Sequence, residues 1–329
     1  MAGERPDELT RRLPKTHRRM RDPRSPPWSS SAMRLRKVAV FAGIGIAIAG
    51  FALSVLVATD VLTRSVQRSI GKPPPDIAAV SVVIRTPADQ RISGWMVHGT
   101  SGTGAILLLH GVREDRREMV GRARFLNRLG YSALLIDLPA HGESSGDRIT
   151  YGLDEAVAVR AALDYLSRTL PREKIGVIGV SLGASSFVLS KPGHAASAVV
   201  LESMFPSMEE AVSNRLKLYA GPAGDWITPI FLWTLRQRFG IASEQIRPIS
   251  QIPFLLSPVL VASGGIDSFT TPAESRRVYA SAREPKELWL IDGAGHVDLH
   301  AFDPEAYEKR VSAFFAKHLQ RLDLLPQQT

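Results

Sequence analysis

A glycine-flanked serine joins an apolar run to a helix-forming segment, and this junction constrains the fold more than any other feature of the chain. Residues 174–178 form a short β-branched run that is typical of a buried strand, and residues 184–189 are able to start a helix. Gly179-Val180-Ser181-Leu182-Gly183 lies between them. Because a side chain at either glycine would collide with the neighbouring strand or helix, Gly179 and Gly183 predict a tight turn. Ser181 is therefore expected above the sheet edge, where its hydroxyl can attack a carbonyl.

Strand patterns alternate with helical patterns along the body of the chain. Apolar runs precede His110, Asp137 and Ser181, and a last helix is predicted over residues 304–322. The alternation predicts a mostly parallel sheet with helices on both faces. Residues 204–257 form an insertion too long for an ordinary connection, and we expect a helical lid there. The Trp and Phe residues of this insertion either pack the lid onto the body or line an apolar acyl pocket, and the two roles can coexist.

Two residues that follow later strands are candidates for activating the serine. A serine hydroxyl needs a base, a group that orients the base, and donors for the developing oxyanion. Asp267 and His296 each follow an apolar run, and the ends of parallel strands converge at one edge of a sheet. Asp267 alone is also typical of a turn residue. Asp292 is a second carboxylate, but it is too near His296 in sequence to reach the far ring nitrogen easily.

Five motifs follow one another in a fixed order along the chain. They are His110-Gly111, Asp137-x-x-x-His141-Gly142-x-Ser144, the glycine-flanked serine at residues 179–183, Gly265-Ile266-Asp267 and Gly295-His296. Together they resemble the serine α/β-hydrolases over roughly residues 77–320, and the resemblance implies an α/β-hydrolase fold. More narrowly, the chain is similar to the membrane-anchored or secreted hydrolases related to serine aminopeptidases and monoacylglycerol lipases.

The resemblance also implies the roles of the site residues. Ser181 would be the nucleophile, His296 the general base and Asp267 its orienting carboxylate. The oxyanion donors would be the backbone N–H groups of Val112 and Leu182, with that of Gly111 a less favoured substitute. His110 and His141 are interpreted as structural residues of the loops beside the oxyanion hole.

The implied activity is cleavage of a small-molecule or lipid carboxylic ester, with thioester or amide as further substrates, through an acyl-serine intermediate. An acyltransferase would use the same triad, and a non-enzymatic binding protein on this fold is the alternative from another class. No cofactor and no metal are expected: the chain has no cysteine, and His296 with His300 makes a weak metal pair because Gly295 disfavours a helix there. The residues give no indication of oligomeric state.

The N-terminal part carries an uncharged run at residues 38–58, which at about 1.5 Å per residue spans a bilayer core of roughly 30 Å. A buried helix and a cleaved signal peptide are the alternatives, but Val57-Ala58-Thr59 is a poor cleavage site, so an uncleaved signal anchor is favoured. Residues 1–37 hold 11 Lys and Arg against 4 Asp and Glu, whereas the rest of the chain is nearly balanced. This distribution predicts a single-pass cell-membrane protein with its body outside the cytoplasm, and it argues against nucleic-acid binding.

The predicted organisation has four parts. Residues 1–37 are expected to be disordered and basic, and residues 38–58 to form the transmembrane anchor. Residues 59–76 contain a proline-rich run typical of a stiff linker, and the hydrolase domain is expected over residues 77–329.

Overall fold

A computed structural model of the chain describes residues 30–319. The predictions of disorder before residue 30 and of helix beyond residue 319 lie outside the described residues. The chain divides into two compact units, one that ends at Leu53 and one that begins at Ser54.

The first helix, α1 (Ser30–Thr63), is longer at both ends than the predicted span over residues 38–58. Met, Arg, Leu and Lys are good helix formers, so residues 33–37 are helical and not disordered. At the other end Thr59 and Thr63 are fully buried, and their hydroxyls donate to carbonyls three and four residues earlier. Residues 59–63 are therefore helix and not linker.

The segment that follows α1 pairs with the body, whereas a stiff linker was predicted over residues 59–76. Strand β1 (Val66–Gln67) runs parallel to a short strand at His141–Gly142, and the N–H of Ile70 donates to Glu143 Oε1 over 3.0 Å. The partners are more than 70 residues away in sequence. Sequence periodicity over so short a segment carries no sign of such pairing.

Helix α1 is the one helix among residues 30–319 that is long and apolar enough to cross a membrane. A membrane anchor and a signal sequence near an N-terminus both satisfy this criterion.

The α/β architecture with a mostly parallel sheet is confirmed. Eight strands lie in the order β10-β9-β8-β7-β4-β5-β3-β2, and only the pairs β2–β3 and β3–β5 are antiparallel. The elements after β1 are β2 (Ala79–Arg85), β3 (Arg91–Val97), β4 (Ala105–Leu109), α2 (Val120–Arg128), β5 (Ser132–Ile136), β6 (His141–Gly142), α3 (Leu153–Thr169), β7 (Ile175–Val180), α4 (Leu182–Leu189), β8 (Ala198–Glu202), α5 (Met208–Ala220), α6 (Ala223–Phe239), β9 (Val259–Gly264), α7 (Pro272–Ser281), β10 (Lys286–Ile291), α8 (Leu299–Phe302) and α9 (Pro304–Leu319).

Helices cover both faces of this sheet because its strands are apolar on both sides. In β4, Leu107 and Leu109 pack in one hydrophobic cluster, together with α3 and α4, while Ile106 and Leu108 pack in another with α2 and α9. The alternation within one strand follows the two-residue period of side chains. The central strand β7 is held between the two clusters, and it carries Ser181 at its end.

The predicted lid consists of α5 and α6, followed by three short 3₁₀ turns before β9. Some of its aromatic residues take both of the roles left open by the sequence, and others take neither. Phe205 and Phe231 are buried and also line a cavity beside Ser181, whereas Trp226 and Trp233 are exposed and do neither.

Candidate active site

Ser181 lies on a sharp turn between β7 and α4. Its backbone φ is 47° and ψ is −102°, a conformation that a non-glycine residue adopts only under constraint. The two glycines explain how the turn fits. A Cβ on Gly179 would lie 2.6 Å from the backbone nitrogen of Ala184, and one on Gly183 would lie 2.5 Å from the carbonyl oxygen of Leu109. Neither contact is sterically allowed, so both positions require glycine.

The structure brings Asp267 against His296. Nδ1 of His296 donates to Asp267 Oδ2 over 2.8 Å, and the other carboxylate oxygen accepts the N–H groups of Phe269 at 2.8 Å and Thr270 at 2.9 Å. The Asp267 side chain is fully buried, whereas that of His296 is partly exposed. The carboxylate is thus held rigidly and fixes both the orientation and the tautomer of the imidazole, leaving Nε2 as the free ring nitrogen. Asp292, the other candidate carboxylate, is exposed.

Ser181 and His296 line one cavity of about 480 Å³, together with Gly111 and Val112. Val112, one of the two predicted oxyanion donors, also borders this space, and the other, Leu182, directly follows Ser181. The N–H of Leu182 is the first of α4, one of the groups that a helix leaves without an internal partner. Val112 lines the cavity in the loop after β4, and the N–H of the neighbouring Gly111 is occupied by Glu118 Oε2 at 2.7 Å. Gly111 therefore does not substitute for Val112 in this arrangement.

His110 and His141 stabilise the loop after β4 that carries Val112, here called the oxyanion loop. Nε2 of His110 accepts the N–H of Leu138 at 2.9 Å, and Nε2 of His141 accepts the N–H of Arg113 at 3.0 Å. Since a backbone N–H only donates, each accepting nitrogen carries no proton. Burial lowers the pKa of His110 to about 4 and that of His141 to about 3, so both rings are neutral. Both residues therefore have a structural role. His300 packs against Phe125 and does not join His296.

Ser181 also lines a second cavity of about 500 Å³, which is mainly apolar. Its walls come from the lid, from the loop at Val112 and from the last turns of α1, where Ala58, Val61 and Leu62 take part. The size and the mainly apolar lining are those of a small-molecule site.

A buried ion pair at the last residue of β8 supports the turn that carries Ser181. Nη2 of Arg122 lies 2.6 Å from Glu202 Oε2 and 2.8 Å from Asp298 Oδ1, and the Tyr307 hydroxyl donates to Glu202. Glu202 also accepts the N–H of Ser181 through its backbone carbonyl at 2.8 Å. The network therefore connects the strand beside the serine with the loop two residues beyond His296.

Sequence reasoning missed three side chains of this site. Phe269 packs edge-on against the ring of His296, Glu118 holds the oxyanion loop, and Arg215 borders both cavities. A signal existed only for Arg215, which lies on the apolar stripe of α5 at helical spacing from Met208 and Val212.

The Glu118 carboxyl predicts a pH dependence of stability. Burial raises its pKa from 4.5 to about 7, so the native state keeps a proton that the unfolded chain releases. The stabilisation is complete below the unfolded pKa and is lost as the pH rises through about 7. Glu118→Gln, whose amide oxygen still accepts from Gly111, should flatten the fall in unfolding free energy by up to ~1.4 kcal/mol per pH unit.

Urea unfolding of both proteins at a series of pH values measures this difference. Parallel curves for the wild type and Glu118→Gln would show that the carboxyl does not titrate in this range.

Comparison with known proteins agrees with the geometry. The sequence profile of the alpha/beta hydrolase family matches residues 106–310. An uncharacterized protein of Mycobacterium tuberculosis is 31% identical over 238 residues, which cover 71% of this chain and 76% of that protein. The uncharacterized protein YqkD of Bacillus subtilis is 25% identical over 229 residues, covering 68% and 74% of the two chains. An esterase of Pyrococcus furiosus has the same fold, with a TM-score of 0.65 at 24% identity over 78% of this chain and 98% of the esterase.

Proposed function

The chain belongs to the alpha/beta hydrolase family, and on that premise we propose that it is a serine hydrolase that cleaves a carboxylic ester through an acyl-serine intermediate. The observation that carries the proposal is the cavity shared by Ser181 and His296, with Asp267 bonded to the far nitrogen of the imidazole. A nucleophile, a base and an orienting group in this order make the set of parts that acyl transfer to serine needs.

The reaction follows from these positions. His296 Nε2 takes the hydroxyl proton as Ser181 Oγ bonds to the substrate carbonyl carbon, and the N–H groups of Val112 and Leu182 stabilise the oxyanion. The bond to the leaving group breaks as the imidazolium returns its proton to the departing alcohol. A water molecule activated by His296 then attacks the acyl-serine, and the acid is released with the serine restored.

Labelling with a fluorophosphonate probe tests this assignment. The wild type should be labelled at Ser181, whereas Ser181→Ala should take up no label and lose ester hydrolysis by about 10⁴-fold or more. Ser185→Ala is the matched control, because this serine lies one turn further along α4 and its buried hydroxyl has no hydrogen-bond partner among residues 30–319. Equal labelling of the wild type and Ser181→Ala would defeat the proposal.

We also propose that α1 anchors the protein in the cell membrane with the hydrolase outside the cytoplasm. Arg34, Arg36 and Lys37 precede the apolar run, and the positive-inside rule favours the cytoplasm for that end. An uncleaved helix is supported by the burial of Val55 and by the place of Ala58 in the wall of the apolar cavity, because a cleavage after the apolar run would remove both residues. Protease added to intact cells should digest the body of the anchored protein, and protection of the body would argue against this orientation.

A further inference from the structure

Arg215 interrupts an otherwise apolar face of the lid. Met208, Ala211, Val212 and Tyr219 of α5 line the apolar cavity, and Arg215 lies on the same stripe. An arginine on a helix normally extends its charged end into water. This one is only partly exposed and borders the cavity instead.

The guanidinium makes no ion pair within the described part of the chain, and the carboxylate that acts on it at longer range, Asp267, is already bound to His296. It lies over the ring of Phe269, with Cζ 4.6 Å from the ring centroid, and its one hydrogen bond is a long contact of 3.4 Å from Nη1 to the carbonyl of Ala211. No carboxylate of residues 30–319 forms an ion pair with it. Burial lowers the pKa of Arg215, as expected for a cation that has lost part of its hydration. Such a charge is costly unless an anion accompanies it.

Arg215 borders the same two cavities as Ser181, the proposed nucleophile. Among residues 30–319, only Val112, Ser181 and Arg215 border both the apolar cavity and the cavity that holds His296. None of the described residues that line the apolar cavity is Asp or Glu, and Arg113 adds a second cation to its wall. The acyl side of the site is thus apolar in surface and positive in charge.

We propose that the apolar cavity binds an acyl group that itself carries an anionic group, in the simplest case a carboxylate, and that Arg215 binds this anion. The proposal rests on the proposed function, since it takes Ser181 as the residue that is acylated. The substrates are then half-esters of dicarboxylic acids or acyl groups of similar charge. A guanidinium pairs with a carboxylate through two parallel hydrogen bonds, which would also fix the position of the acyl chain relative to Ser181.

The test compares two esters of equal acyl length, 4-nitrophenyl hydrogen suberate and 4-nitrophenyl octanoate. In Arg215→Met, kcat/KM for the anionic ester should fall roughly 10- to 100-fold, the worth of a charge-assisted hydrogen bond. For octanoate the change should be smaller, because the methionine preserves the apolar wall, so the ratio of the two kcat/KM values reports the anion site. Arg215→Lys should retain part of the preference for the anionic ester. Arg236→Met is the control, since it removes a lid cation that pairs with Glu244 and borders neither cavity.

The two levels of the proposal fail in different ways. If fluorophosphonate labels Ser181 in every variant but Arg215→Met lowers kcat/KM for both esters equally, Arg215 only supports the lid and the anion site is excluded. If Ser181 is not labelled in the wild type, the serine-hydrolase assignment itself is wrong. Thermal unfolding of each variant identifies any loss of activity that comes from misfolding.

Discussion

Replacing Asp267 by asparagine is expected to lower kcat by about 10⁴-fold while the fold stays intact. The amide oxygen of asparagine can still accept the N–H groups of Phe269 and Thr270, so the loop keeps its geometry. The amide nitrogen then faces Nδ1 of His296 as a donor. The imidazole must accept there, which moves its proton to Nε2, the nitrogen that has to receive the proton of Ser181.

The measurement is kcat for 4-nitrophenyl butyrate, together with the melting temperature of each protein. Asp292→Asn makes the same chemical change four residues before His296 at an exposed position, and we expect wild-type kcat from it. A loss below tenfold for Asp267→Asn would mean that the carboxylate does not orient the base. A large drop in melting temperature would reassign Asp267 to folding.

Replacing Arg122 by methionine is expected to lower the free energy of unfolding by about 3–5 kcal/mol, the largest stability effect that we predict. Arg122, Glu202 and Tyr307 are all fully buried. Loss of the guanidinium leaves the Glu202 carboxylate in an apolar interior without its counter-charge. The cost should therefore come from the remaining partner more than from the lost contact.

A double variant separates these two contributions. Arg122→Met combined with Glu202→Leu should recover most of the lost stability, because well-packed apolar residues often replace a buried ion pair without penalty. Arg124→Met, on the same helix, removes an exposed pair with Asp76 and should leave unfolding close to that of the wild type. If the double variant is no more stable than Arg122→Met, the network contributes through packing and not through charge.

The order of elements and the turn at residues 179–183 were predictable, because each depends on residues that are close together in the sequence. The strands β4 and β5 lie on the apolar runs that precede His110 and Asp137, since a continuous apolar run of five residues between turn signals has few other folded forms. The steric argument at Gly179 and Gly183 needs only the neighbouring strand and helix. Ser181, Asp267 and His296 were chosen as candidates from their places after strands, because the ends of parallel strands converge at one edge of a sheet.

Most features that the sequence did not predict depend on contacts with residues far away in the chain, and helix α7 is the exception. Helix α7 was missed although Thr271 and Glu274 form a capping box at its start, because the short helix contains few apolar residues. The role of Glu118 depends on a contact with Gly111 that only the folded loop creates. The pairing of residues 66–67 with residues 141–142 likewise has no local pattern.

The last turns of α1 help to form the cavity beside Ser181. Ala58, Val61 and Leu62 belong to the same unit as Ser181 and form part of the wall beside it. The end of this helix therefore cannot be exchanged for another apolar segment without changing the cavity. A chimera that received residues 54–63 from a relative would inherit a different cavity width along with its new segment, and its preference for acyl-chain length would change with no substitution in the triad or the lid.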